Sequence, residues 1–249
     1  MKISQARSRT RSSRPFVFLN VAATADGKIA LANRKFVPFG SKRDQELLLE
    51  LRTHADAVMA GARTVDLYPV NLGPGGKNYR EMRLKRGLAE YNLRVIVSGS
   101  GSLNPSAEIF RHRFSPIILL TTERILKKKL NALRAVADEV KMFGETELDF
   151  AAALRWLREQ WGVKRLLCEG GGELNAGLIR AGLVDEIYLT LCPLIFGGRT
   201  APTLADGGGV KKLADATPLA LKSLKRVGDE LFLVYRVQKS PAKKRLQNF

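Results

Sequence analysis

The sequence predicts an α/β fold: a mostly parallel central sheet, helices on both faces and an antiparallel C-terminal edge. Short apolar runs at residues 56–60, 93–97, 116–120 and 163–168 alternate with stretches of helical period. These runs are apolar on both sides, as strands covered on each face are. A closing pair, residues 219–225 and 230–237, flanks Gly228-Asp229 and reads as an antiparallel hairpin.

With 249 residues, 45% of them hydrophobic, the chain can bury one large core. The net charge of +18 invites a nucleic-acid reading, but half of it lies at the ends. Residues 1–14 carry five basic and no acidic side chains, and residues 239–249 carry four and none. The predicted organisation is therefore a disordered basic tail over residues 1–14, one domain over 15–238 and a second basic tail over 239–249. The tails leave nonspecific contact with nucleic acid open. The positive body fits the attraction of phosphorylated ligands. The sequence shows no apolar run of membrane-span length and no secretory pattern. Cys168 and Cys192 fall in predicted strands and read as small hydrophobes, which fits a reducing, cytoplasmic location.

Residues 15–22 (PFVFLNVA) are apolar on both faces and form an interior strand. Asp26-Gly27 is a hairpin-turn dipeptide. Ser41 is placed to cap a helix over residues 42–53, with Asp44 completing a loose capping box. Arg52 ends that helix, where the dipole favours a cation. Residues 56–60 are the next strand, and Gly61-Ala62-Arg63-Thr64 the turn beyond it. Residues 71–80 (NLGPGGKNYR) read as a mobile basic flap, because Gly75-Gly76-Lys77 lacks P-loop spacing and a following Ser or Thr. The strand at 93–97 runs into Ser98-Gly99-Ser100-Gly101-Ser102, whose hydroxyl and N–H groups can face an anion. A strand at 116–120, a helix at 123–136, a strand at 139–143 and a helix at 149–161 follow. Residues 203–215 form a glycine-rich loop.

The most informative stretch is residues 163–198. A buried strand ends at Cys168, Glu169-Gly170-Gly171-Gly172 turns the chain, and a helix of about ten residues begins. Its unpaired N–H groups, over Gly171 to Leu174, suit a phosphate or pyrophosphate. Glu169 sits at the carboxyl end of a parallel strand, where such sheets place ligands. The following strand is read as carrying Pro193 and ending at Phe196-Gly197-Gly198. Asn175 stands where a Rossmann fingerprint needs its third glycine, so the motif is of another kind.

The stretch EGGGELNAGLIRAGLVDEIYLTLCPLIFGG resembles the C-terminal reductase domain of the bifunctional riboflavin-biosynthesis deaminase/reductase. It also resembles that domain's stand-alone relatives, pyrimidine-nucleotide reductases of dihydrofolate-reductase-like fold. NVAATADGKIA from Asn20 and AVMAGARTV from Ala57 agree in order and spacing. The resemblance implies a three-layer αβα reductase, NADPH as cofactor, a homodimer, and a phosphorylated pyrimidine substrate of the 5-amino-6-(5-phosphoribosylamino)uracil type, reduced to its ribitylamino product in riboflavin biosynthesis. It puts Asn20, Ser41 and Arg52 at the substrate, with Ser41 and Arg52 at its phosphate. Gly61, Thr64, Ser98, Gly170, Gly171, Gly172 and Leu174 fall at the cofactor, and Glu169 and Asp26 at the reacting sugar. Other readings remain beside these: a turn-former for Asp26, a surface cation for Arg52, a generic loop residue for Ser98 and a helix-dipole partner for Glu169. Asp66 is displaced from the family's acidic position, which keeps a pterin-type or folate-like substrate in play.

No Ser-His-Asp order, metal cluster or zinc-deaminase signature emerges around His54 or His112. That suits hydride transfer, in which the protein aligns the partners and excludes water. A noncatalytic RNA-binding protein is the contrasting class.

Overall fold

The computed structural model describes residues 13–35 and 37–238. The predicted tails lie outside the described residues, apart from Ser13 and Arg14. The strands are β1 (Phe16–Thr24), β2 (Ala57–Gly61), β3 (Leu93–Val97), β4 (Ile117–Thr121), β5 (Glu139–Met142), β6 (Arg165–Cys168), β7 (Glu186–Cys192), β8 (Leu219–Val227) and β9 (Glu230–Val237). The helices are α1 (Lys42–Arg52), α2 (Ala62–Leu67), α3 (Lys77–Lys85), α4 (Lys127–Arg134), α5 (Phe150–Gln160) and α6 (Gly172–Arg180).

All strands join one sheet in the order β5-β4-β3-β2-β6-β1-β7-β9-β8. Pairing is parallel from β5 to β7 and antiparallel at β7–β9 and β9–β8. β1 alternates its side chains between two cores. Val17, Leu19 and Val21 face one built with Leu154 and Leu157 of α5 and Leu174 and Leu178 of α6. Phe18 faces the other, with Leu51 of α1, Val65 of α2 and Leu133 of α4. Burying each such leucine contributes about 2 kcal/mol, so the two apolar faces fix the three-layer arrangement.

β6 lies between β2 and β1, the point where the strand order reverses, and parallel sheets open a crevice there at their carboxyl ends. The N-terminal end is pinned as well. Arg14 makes a bidentate pair with Asp185 at 2.8 and 2.9 Å, and Asp185 also accepts the Val17 N–H. Arg14, assigned to the tail by composition, is thus tied to the folded body.

Four sequence expectations change. Asp26-Gly27 turns the chain after β1, but no strand follows; Lys28 makes only an isolated bridge to Thr203. β7 stops at Cys192, before Pro193, which has no N–H to continue a ladder. The turn expected at Gly61 to Thr64 is the start of α2. The expected flap is a pinned loop leading into α3: Gly73 N–H donates to Asn71, Asn92 donates to the Leu72 carbonyl, and Leu72 is fully buried.

Candidate active site

A cleft of about 1060 Å³ runs along the carboxyl edge of the sheet. Its walls combine β1, one side of α1 from Asp44 to Arg52, the β2–α2 junction, the loops after β3 and β4, and the β6–α6 turn. Of the residues singled out from sequence, it gathers Asn20, Arg52, Gly61, Thr64, Glu169, Gly170, Gly171, Gly172 and Leu174.

Glu169 and Arg52 form the charged centre. Arg52 Nε donates to Glu169 Oε1 at 2.6 Å and Nη2 to Oε2 at 2.7 Å, with side chains 9% and 10% exposed. Arg52 Nη1 donates to the Gly73 carbonyl at 2.6 Å. The surface reading of Arg52 is therefore corrected: it is not a solvated helix-end cation but the buried partner of Glu169. Neither charge would tolerate this burial alone. The end of α1 is held in turn by Arg83, whose Nη1 donates to the Arg52 and Ala55 carbonyls at 2.6 Å each. Burial lowers the Arg83 pKa to about 10, which still leaves it charged at neutral pH.

The three glycines after Glu169 do different work. Gly170 takes φ +85°, open to glycine at little cost, and a cis peptide joins it to Gly171. A Cβ on Gly172 would lie 2.4 Å from Asp206 Oδ2 and 2.5 Å from the Thr203 carbonyl, so that glycine serves packing. A Cβ on Gly171 would meet only Thr64 Oγ1 at 3.8 Å and would otherwise project into the cleft. Gly171 is also the N-cap of α6 and brings no side chain to bond its first-turn N–H groups. The floor of the cleft is therefore backbone amide at the positive end of a helix, which fits a pyrophosphate. Asn175 is buried and donates to the Leu204 carbonyl, which explains the missing third glycine.

Three expected residues stand outside the cleft lining. Asp26 accepts from the N–H groups of Phe196 and Gly197 at 3.2 and 2.7 Å and from the Thr24 hydroxyl at 2.5 Å. The Thr24 bond leads in holding its pKa below the ordinary carboxylate value, as suits a fixed acceptor clamping the loop after β7. Ser41 caps α1 as predicted, but its N–H and hydroxyl both go to Glu230, at 2.7 and 2.5 Å. Ser98 is buried beneath its turn with an unpartnered hydroxyl; Gly99, Ser100 and Ser102 line the cleft in its place. Asp66 accepts the Asn104 N–H and braces that same region.

As site residues, sequence reasoning passed over Asp44, in the first turn of α1, and Arg34 and Arg124, in two separate loops, all of which line the cleft. Only Asp44 carried a signal, its place in a capping box. Its Oδ1 is buried without a partner, as is Asn20 Oδ1. Burial raises the Asp44 pKa; the Thr190 hydroxyl opposes this, and the Glu230 charge adds to it. Burial pushes both thiols up to about 12, so neither Cys168 nor Cys192 is a ready nucleophile. Among the described residues no group of three or more His, Cys, Asp or Glu is arranged to hold a metal ion.

The mostly parallel sheet with its cleft at the strand reversal makes this chain an α/β protein of dihydrofolate-reductase-like fold, with its ligand site at the switch point. Within that class it belongs to the RibD C-terminal domain family, whose sequence profile matches residues 15–233. It is 35% identical to the 2,5-diamino-6-ribosylamino-4(3H)-pyrimidinone 5′-phosphate reductase of Archaeoglobus fulgidus, over 87% of this chain and 95% of that one. It is 33% identical to the protein of the same name in Methanothermobacter thermautotrophicus, over 90% and 99%. A pyrimidine reductase-like protein from Corynebacterium diphtheriae shares the fold, with a TM-score of 0.74, 24% identity and coverage of 91% and 93%.

Proposed function

We propose that the chain uses NADPH to reduce the ribosyl group of a ribosylaminopyrimidine 5′-phosphate to a ribityl chain, a step of riboflavin biosynthesis. The observation that carries this reading is the cleft itself, in which the amide floor at Gly171 adjoins the buried Arg52–Glu169 pair. Two relatives aligned over 95% or more of their lengths carry the 2,5-diaminopyrimidinone name, which supports the undeaminated ring over the 5-aminouracil.

The sugar opens to an imine; hydride adds at C1′ and a proton at nitrogen. NADPH supplies the hydride when bound. Gly171, Gly172 and Leu174, with Gly61 and Thr64 opposite, hold the pyrophosphate. Glu169 accepts from sugar hydroxyls and Asn20 Oδ1 from the substrate. Arg52 fixes the Glu169 rotamer and keeps two N–H groups for the substrate end. Ser41 and Asp26 shape the surrounding loops.

The test is NADPH oxidation by the purified chain with each of the two pyrimidines. Turnover of the diaminopyrimidinone phosphate is expected; turnover of a dihydropterin with neither pyrimidine accepted would overturn the reading. We also propose a homodimer, supported by the edge strand β8, where Leu221 and Leu224 are more than half exposed. Sedimentation at micromolar concentration checks it, and a monomer there refutes it. Among the described residues no helix is long and apolar enough to cross a membrane, and both cysteines are free thiols. Those facts support the cytoplasmic location as a further proposal, checked by fractionating cells.

A further inference from the structure

One stripe of α1 faces the cleft: Asp44, Leu48 and Arg52, at i, i+4 and i+8. Asp44 and Arg52 stand about 12 Å apart along the helix. Long helical side chains lean toward the helix N-terminus, so the Arg52 guanidinium, with Glu169 paired to it, reaches back toward Asp44. Between the two charged groups lies Leu48, an apolar surface for a flat ring. β1 runs beneath this stripe. Leu19 pairs with Cys168, which sets Asn20 level with Glu169. Asn20 shares a face with Phe18, the face that packs on α1. Ala22 follows on that face and pairs with Thr190 of β7.

The polar atoms left over on this wall are mostly acceptors. Asn20 Oδ1, Asp44 Oδ1 and Thr190 Oγ1 are all buried, and none makes a hydrogen bond. Burial raises the Asp44 pKa and the Glu230 charge adds to it; the Thr190 hydroxyl lies near enough to oppose them but falls short of a hydrogen bond. Glu230 is itself occupied by the Ser41 N–H and hydroxyl, at 2.7 and 2.5 Å. A Cβ on Gly40 would lie 2.3 Å from Asp44 Oδ2, so glycine there makes room for the carboxylate. A carboxylate buried in this way weakens the empty fold and is answered by a ligand that brings N–H groups.

We propose that Asp44 reads the edge of the pyrimidine ring and makes the chain selective for a 2-amino-4-oxo ring over a uracil. On the 2-amino ring, N3–H and the amino group stand side by side, and the two carboxylate oxygens accept from both. On a uracil the C2 carbonyl replaces the amino group, so oxygen faces oxygen and the ring is rejected. Leu48 packs on the ring face, and Asn20 Oδ1, beside Glu169, accepts from the N–H that joins ring to sugar.

This inference rests on reading the cleft as the site of a ribosylaminopyrimidine phosphate, so the test measures ring binding apart from turnover. The full chain, loaded with NADP⁺, is titrated calorimetrically with the diaminopyrimidinone phosphate and with the 5-aminouracil phosphate, beside Asp44→Asn and Asp44→Ala. The unaltered chain should prefer the diaminopyrimidinone by about 10- to 100-fold, the worth of a charge-assisted pair. Asp44→Asn should lose that factor on the diaminopyrimidinone and gain on the uracil, because its amide donates to the C2 carbonyl. Asp44→Ala should lose the preference without the gain. Equal weakening of both rings means that Asp44 acts only through α1, and an unchanged preference means that it does not touch the ring; either overturns the inference. An Asp44-dependent preference without turnover of either compound would sink the proposed reaction and leave this inference standing. Tighter binding and turnover of the uracil by the unaltered chain would sink the inference and leave the reductase reading standing. No binding of either ring would sink both.

Discussion

Replacing Glu169 with glutamine tests the core of the site. The substitution keeps the shape and one acceptor but removes the charge that Arg52 answers at 2.6 and 2.7 Å. Breaking a buried pair from one side costs about 3–5 kcal/mol, because the surviving charge stays desolvated. Here the Gly73 carbonyl and the glutamine oxygen still accept from Arg52, so about 2–3 kcal/mol is expected. For a domain of this size that lowers the melting temperature by roughly 4–12 °C. Calorimetry reads the loss, and NADPH oxidation well below the transition reads function separately. The companion is the double apolar replacement, Arg52→Met with Glu169→Leu, which should regain most of the stability while turnover stays lost. Two results would refute the reasoning. A Glu169→Gln melting shift under about 2 °C means the pair is not desolvated. Full turnover in the double variant means the pair serves the fold alone.

Gly171→Ala should weaken cofactor binding about tenfold by placing a methyl over the helix start, with stability changed by less than about 1 kcal/mol because φ is −74°; titration and melting read the two effects. Asp44 should lower stability as pH rises. Its folded pKa lies above 3.8, so between 3.8 and that higher value the folded chain holds a proton that the unfolded chain has released. The contribution is complete below 3.8 and lost above the folded value, and Asp44→Asn should flatten that decline in melting temperature measured against pH. Deleting residues 1–12 should leave turnover unchanged. Arg14→Ala should cost about 1–2 kcal/mol through its pair with Asp185, as urea unfolding would show.

The parallel strands were legible because each is a short apolar run set between polar boundaries. The glycine turn after β6 was legible because a sheet end and a helix start meet there. Arg52 and Glu169 were both singled out, yet their pairing was not, since no local pattern joins positions so far apart in sequence. Asp26 shows the reverse case: its motif was correctly read as a turn, but only the folded loop after β7 reveals where its carboxylate is spent. The run Gly73 to Gly76 looked loose because glycine signals freedom in sequence, whereas Asn92 and Arg52 pin the Leu72 and Gly73 carbonyls at its start. Arg124 lay beside a lysine-rich helix, and only its place in the lining of the folded cleft distinguishes it.

The placement of β6 has a consequence for how the chain comes off the ribosome. β1 emerges first, but both of its neighbours, β6 and β7, are made only after most of the protein has appeared. Until then the β2–β5 half has an open edge, and β1 has nothing to zip against. The crevice is completed by the same late insertion that closes the sheet. A nascent chain halted before residue 165 therefore exposes two sticky borders and no catalytic groove, so assembly and competence arrive in one event.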